Sequence, residues 1–254
     1  MEGINERQMK ILTRLNENGF VRVQNLCETF DVSSVTIRKD LSFLEQKGLL
    51  FRTHGGASKQ SLYAFERNIG EKEAIQVDQK KTIAEKSLQF INHRDYIILG
   101  SGTSVLYLAR LLEGFEKLTV VTSSLFVSVE LCNYPNITTI QLGGNVRKSS
   151  NSVIGSTAEQ MLSDYSCNKV FLGVDGIDLN FGLTTSNSLE AQLNKAMIKA
   201  SEKVIVLADS SKIGKRSFGK IADIQEVDVL VTDAGISKKD QKTLENLGIE
   251  VVIA

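Results

Sequence analysis

The chain has 254 residues, with 30 Lys+Arg against 30 Asp+Glu and a formal net charge of zero. That excludes a uniformly basic nucleic-acid coat and leaves room for one large domain or two modest ones. Apolar residues make up 42% and charged residues 24%, the balance of a soluble globular protein. Pro135 is the only proline, so a Pro-rich linker is excluded. Cys27, Cys132 and Cys167 form no CxxC pair, and His54 and His93 are the only histidines. No zinc-ligand set stands at usable spacing, and neither a metal nor a cofactor is expected. The first residues lack the apolar region of a secretory leader, and no apolar run approaches the ~18–20 residues of a membrane span. The expectation is a cytoplasmic chain without membrane contact.

Residues 1–57 read as helices followed by a short strand signal. Ile4, Ile11, Leu12 and Leu15 fall on one helical face, and Gly19 suits the left-handed residue after a helix. Val23, Leu26, Cys27 and Phe30 follow at i, i+3, i+4, i+7; Cys27 lies on that stripe and reads as a core thiol. Asp31–Ser33 make a turn, Ser33 or Ser34 caps a third helix, and Ile37, Leu41 and Leu44 form its buried stripe before Gly48 closes it. Leu49–Arg52 reads as a strand and His54-Gly55-Gly56 as a tight turn. Three short helices and a hairpin are the plan of a winged helix-turn-helix. Residues 1–59 carry nine basic and seven acidic side chains, and the remainder 21 and 23. The first part is thus slightly positive, the rest slightly negative.

With Ile37, Leu41 and Leu44 turned inward, about 100° per residue puts Val35, Lys39, Ser42 and Gln46 on the opposite face, flanked by Ser34, Thr36 and Arg38. Small polar and basic groups at a helix N-terminus suit the DNA major groove. Arg38 can fork onto guanine or grip a phosphate, Lys39 can act as a point charge, and Val35 can touch a thymine methyl. Arg52 and His54, on the wing, can reach phosphate or the minor groove. A solvated face on an ordinary helical bundle would present the same residues. Arg7, Ile11 and Leu15, followed by Ser33-Ser34-Val35-Thr36-Ile37-Arg38-Lys39-Asp40-Leu41, resemble the helix-turn-helix signature of the DeoR family of bacterial transcription regulators. Phe51-Arg52-Thr53-His54-Gly55-Gly56-Ala57 resembles that family's wing. The resemblance implies a double-stranded DNA operator as partner. It also implies that Asp40 orders neighbouring side chains rather than reading bases.

Residues 58–80 are polar and mixed, and read as a partly helical connector. From about residue 82 strands and helices alternate. Strands are expected at 96–99, 118–122, 138–142, 169–174, 204–208, 229–232 and 250–253, with helices at 104–112, 125–132, 158–162, 189–200 and 238–247. That alternation implies an α/β domain over 81–254 with a mostly parallel sheet.

In this half Tyr96–Leu99 runs into Gly100-Ser101-Gly102-Thr103-Ser104 and then a helix. A Gly-rich turn at a helix start offers free N–H groups, and Ser101, Thr103 and Ser104 add hydroxyls, a fit for a phosphate monoester. A plain strand–helix turn would read alike. No Gly-Lys-Ser/Thr follows, so the turn is not a P-loop. Gly143-Gly144 with Arg147, Asp175 after the fourth strand, Asn187 and Glu190 at a helix start, and Lys212 after the fifth strand mark later strand ends, where α/β sheets bind ligands. Together they supply cations for phosphate and carboxylates or amides for hydroxyls, the inventory for a phosphorylated sugar. Each of these has a plainer reading as a turn or a solvated helical residue.

Strand-Ser-Gly-Thr-Ser, Leu-Gly-Gly-x-x-Arg, Gly-Val-Asp-Gly-Ile-Asp and Asp-Ser-Ser-Lys, in that order, resemble the effector-sensing domain of DeoR-type regulators, which is similar in fold to sugar-phosphate isomerases and deaminases. The resemblance implies that Ser101–Ser104 hold the effector phosphate with Lys212 nearby, while Asp175 and Glu190 face sugar hydroxyls. Two positions depart from the family pattern: Gly100 stands where Asp is common, and Ser123 where Asn is common. The expected function is a repressor of carbohydrate genes with no catalytic residues. It would be a homo-oligomer, dimer or tetramer, associated with the nucleoid when on its operator, and released by a phosphorylated sugar or polyol. The alternative is an isomerase- or deaminase-like enzyme with an accessory DNA-binding head, for which Asp175 and Glu190 would be the candidate bases.

Overall fold

In the computed structural model the described residues are 4–47, 49–53, 55–58 and 68–254, with the backbone alone at 52, 53 and 58. The chain divides into two compact units at residues 64/65.

The first unit opens with α1 (Glu6–Asn18). Asn5 caps it in a reciprocal box with Gln8, and Gly19 ends it at φ 70°, the left-handed geometry that favours glycine. A short strand, β1 (Phe20–Arg22), comes next, then α2 (Val23–Phe30) and α3 (Ser34–Gln46). Strands β2 (Phe51–Thr53) and β3 (Gly56–Ser58) pair antiparallel, with β3 between β1 and β2. This is a winged helix-turn-helix. Ile11, Leu15, Leu26, Ile37, Leu41, Leu44 and Leu50 form its core, with Cys27 packed at the margin. The helical stripes read in the sequence thus all converge. Asp40 is buried beside them; it accepts from Arg7 Nε (2.6 Å) and Gln8 Nε2 (2.9 Å), tying α3 to α1.

The second unit is α/β. Its short entry helix α4 (Ile69–Glu73) and then α5 (Val77–Ser87) precede β4 (Tyr96–Leu99), α6 (Thr103–Ala109), β5 (Leu118–Thr122), α7 (Leu125–Leu131) and β6 (Ile137–Gln141). A hairpin of β7 (Asn145–Arg147) and β8 (Ser152–Ile154) leads to α8 (Ser156–Leu162) and β9 (Cys167–Gly173). Then come β10 (Gly176–Asp178), β11 (Gly182–Thr185), α9 (Ser188–Lys199), β12 (Ser201–Leu207), β13 (Gly219–Ala222), β14 (Val229–Thr232), α10 (Lys238–Asn246) and β15 (Glu250–Ile253).

Seven strands form one parallel sheet in the order β15-β14-β12-β9-β4-β5-β6. Helices cover both faces. Ile98, Val121, Val170, Leu172 and Val206 point into one core, and Ile97, Leu99, Val120, Phe171 and Ile205 into the other. Burial on both faces is why these strands read as unbroken apolar runs. The chain winds outward from β4 to β6, then returns to β9 on the other side of β4. The β4/β9 junction is therefore the topological switch point, where the crevice of an open α/β sheet lies.

Candidate effector site and DNA-reading face

On the first unit, α3 starts at Ser33, whose hydroxyl accepts from Thr36 N (3.3 Å) and meets the Thr36 hydroxyl at 3.0 Å. Ser34, Val35, Arg38 and Lys39 are exposed, Val35 at 59%, and Thr36 and Ser42 are half-buried. Val35, Arg38, Lys39, Ser42, Phe43 and Gln46 line one shallow groove along the outer face of α3. An exposed valine beside two cations suits a groove that meets thymine methyls. Arg52 lies on β2 of the wing. Gly48 and His54, read as a helix end and a wing contact, lie outside the described residues.

On the second unit, four strand ends converge at the switch point. After β4, Gly100 donates its N–H to Phe171 O of β9 (3.0 Å). A Cβ at Gly100 would stand 2.8 Å from Leu172 Cδ2, so the family's aspartate would require that side chain to shift. Gly102, at φ 116°, caps α6 in a backbone region that glycine tolerates. The Ser101 hydroxyl donates to Glu190 Oε1 (2.8 Å). Thr103 and Ser104 are buried beside it, and their hydroxyls have no hydrogen-bond partner among the described residues.

Glu190, on α9, is nearly buried. Its Oε2 accepts from Arg147 Nη1 (2.7 Å) and Thr185 Oγ1 (3.0 Å). Asn187 caps α9 by accepting the Glu190 backbone N–H at 3.0 Å. Arg147 also donates to Ser150 and Ser186. Gly143 and Gly144 lead into β7, which carries Arg147; both are exposed, and Gly143 N–H points to Met161 Sδ (3.4 Å). Ser123, the other departure from the family pattern, is buried at the end of β5, where its carbonyl accepts from Val153 N.

Asp175 follows β9 and is 6% exposed. Its Oδ1 accepts from Lys72 Nζ (2.6 Å), and its Oδ2 from Thr185 Oγ1 (3.3 Å) and Ser186 N (3.1 Å). Burial pushes its pKa up. Lys72, the charge of Lys212 and the Ser186 amide together outweigh that and hold it below the ordinary carboxylate value. Lys212 stands in the short turn after β12, which Asp209 caps. Its side chain has no hydrogen bond or ion pair among the described residues, though its charge is felt at Asp175 and Lys80.

Reading the sequence alone missed Lys72 and Lys80, which belong to the segment read as a connector. A signal existed: Lys80, Ile83, Ala84 and Ser87 are the buried residues of α5, at the i, i+3, i+4, i+7 spacing of a helix face, so a lysine stands on an apolar stripe. Lys80 donates to the carbonyls of Lys72 and Ile75. Burial pulls its pKa down to about 8; the Asp209 charge opposes this and Lys212 and Lys72 add to it. The unfolded value lies near 10.5. Between the two, the unfolded chain binds more protons than the folded one, so stability from this group rises with pH. Urea unfolding should show the wild type gaining about 3 kcal/mol on Lys80→Met between pH 8 and pH 10.5. A flat difference would mean that Lys80 titrates normally in the fold.

A winged helix-turn-helix joined to a doubly wound α/β unit with a charged crevice at its switch point is the plan of a ligand-sensing regulator of transcription. Residues 7–61 match the DeoR-like helix-turn-helix domain and residues 75–234 the DeoR C-terminal sensor domain. The chain is 39% identical over 246 residues to an uncharacterised helix-turn-helix-type transcriptional regulator, YulB, of Bacillus subtilis, covering 97% of this chain and 95% of that one. It is 36% identical over 253 residues to a putative aga operon transcriptional repressor of Escherichia coli O157:H7, covering 99% and 94%. Ribose 5-phosphate isomerase A of Neisseria gonorrhoeae is similar over 53% of this chain and 52% of its own, with a TM-score of 0.40 and 20% identity. The chain belongs to the DeoR family of DNA-binding transcriptional regulators. Among the described residues no helix is long and apolar enough to cross a membrane.

Proposed function

We propose that this chain is a cytoplasmic repressor of carbohydrate-metabolism genes that reads its operator with α3 and the wing, and leaves it when a phosphorylated sugar or polyol fills the switch-point crevice. One observation carries the effector reading. Where Arg147, Lys72 and Lys80 each already hold an acceptor, the Lys212 side chain has none among the described residues. A cation whose charge reaches Asp175 suits a phosphate, the unbonded hydroxyls of Thr103 and Ser104 can donate to one, and Asp175 and Glu190 suit hydroxyl donors. The aga operon repressor in Escherichia coli, to which the chain is similar, supports a carbohydrate context. Reading a repeated or palindromic operator calls for two heads, so a dimer or tetramer fits this role.

The crevice supports sensing rather than catalysis. An isomerase or deaminase needs a base free to take a proton from carbon, whereas Glu190 is tied to Arg147 at 2.7 Å and also accepts from Ser101 and Thr185, and Asp175 Oδ2 accepts from Thr185 and Ser186. The test is a thermal-shift screen of the full chain against pentose and hexose phosphates and their dephosphorylated forms. A ligand at ~100 times its Kd should add about 2.7 kcal/mol of stability. The expected shift comes with one phosphosugar, is absent for its free sugar and is lost in Lys212→Ala. Equal shifts with the free sugar, or turnover of the phosphosugar, would overturn the reading.

A further inference from the structure

We infer that Lys72 is a latch on the effector site, and that an effector binds by displacing it from Asp175. The inference rests on the crevice being the effector site and names how it would be read out.

Lys72 lies on α4, a helix of five residues that lacks the length to be stable by itself. α4 is held in place by the buried side chain of Ile69 and by a few polar ties. Ile69 N donates to Ser149 O (2.8 Å) in the turn between β7 and β8. Lys80 takes the carbonyls of Lys72 and Ile75, and Arg110 meets Glu73 at 3.1 Å. The Lys72–Asp175 pair is the tie that enters the crevice. Its two ends differ. Asp175 is fixed by Thr185 and Ser186 and is buried, whereas the Lys72 side chain is 27% exposed. Separating the pair therefore moves Lys72, which can regain water, and leaves Asp175 where it is.

Asp175 Oδ2 already accepts from Thr185 and Ser186, so a ligand hydroxyl that takes this carboxylate as acceptor does so at Oδ1, the oxygen that Lys72 holds. Occupancy by hydroxyl donors and retention of the ion pair are thus in competition, and a ligand shifts the α4 equilibrium by its differential affinity for the two states. The Ile69–Ser149 bond adds a second link, because Ser149 lies two residues beyond Arg147, the cation on Glu190. Along the chain, α4 is the first described helix after the wing.

Hydrogen exchange of the full-length protein tests this, read at the amides of Lys72 and Ile75, which bond to Asn68 O and Lys72 O. The probes are ribose 5-phosphate, fructose 6-phosphate and glucosamine 6-phosphate at millimolar concentration, each checked for binding by thermal shift. A probe that binds should speed exchange at these amides by about tenfold or more. Lys72→Met should exchange fast without any probe and show no further rise. Asp175→Asn keeps acceptors for Thr185 and Ser186 while dropping the charge, and should behave likewise even where Lys72→Met folds poorly. A probe that binds while wild-type α4 exchange stays unchanged overturns the latch and leaves the effector site standing. Wild-type exchange rates in both variants overturn it too. If none of the probes binds, the crevice reading falls and the latch with it.

Discussion

Arg38→Ala is expected to cost about 1–3 kcal/mol of binding to operator DNA, roughly a 5- to 150-fold loss, while leaving thermal stability unchanged. The separation follows from where the side chain stands. Arg38 is exposed on the outer face of α3 and has no hydrogen bond or ion pair among the described residues, so its loss costs the fold nothing. Its neighbour two residues on is the internal contrast. Asp40 is buried and carries the ties from Arg7 and Gln8, so Asp40→Ala acts through the fold of the head rather than through DNA. Lys39→Ala should weaken binding evenly across sequences and reduce the salt slope by about one. Fluorescence anisotropy on a duplex selected by the wild-type protein, repeated at several salt concentrations, distinguishes these cases. Unchanged affinity in Arg38→Ala would mean that α3 does not read the bases.

The architecture was legible where burial imposes a pattern. The seven strands of the main sheet stand out because both faces are covered; the expected runs at 96–99, 118–122, 229–232 and 250–253 coincide with β4, β5, β14 and β15. The elements that complete the crevice were not legible. β7, β8, β10, β11 and β13 have three or four residues each, too short for a period of two to declare itself. Their sequences, such as Gly-Ile-Asp and Gly-Leu-Thr-Thr, read as turns. Yet β11 delivers Thr185, whose hydroxyl reaches both Asp175 and Glu190. Residues such as Ser101, Asp175, Glu190 and Lys212 could be found because each follows a strand or opens a helix. What the sequence could not tell is how they pair. Ser101 gives its hydroxyl to Glu190, and Asn187 spends its amide oxygen on capping a helix. A cation drawn from 72 places Asp175 in an ion pair across 103 positions of chain, a contact that no local pattern encodes.

Glu190→Ala should destabilise the second unit by about 3–5 kcal/mol, because it takes the carboxylate away from a buried guanidinium. The side chains of Arg147 and Glu190 are 9% and 11% exposed, so little water can replace the lost carboxylate. Ser101 and Thr185 lose an acceptor at the same stroke. Glu190→Gln keeps the oxygen for these hydroxyls and loses only the charge, so it should cost less than Glu190→Ala. Replacing both partners, Arg147→Met with Glu190→Leu, removes the buried charge and should recover most of the loss, since an apolar pair of similar volume need not be less stable than a buried ion pair. Urea unfolding of the full chain, followed through the transition of the second unit, gives the three numbers, and Arg147→Met and Glu190→Leu measured singly close the cycle that gives the coupling between the sites. If the double variant is as unstable as Glu190→Ala, the pair is not the anchor of the crevice. If it recovers stability yet no longer shifts with any sugar phosphate, the same result explains why the ion pair is present at all. An apolar core would fold as well, and a charged one leaves a carboxylate for a ligand to find.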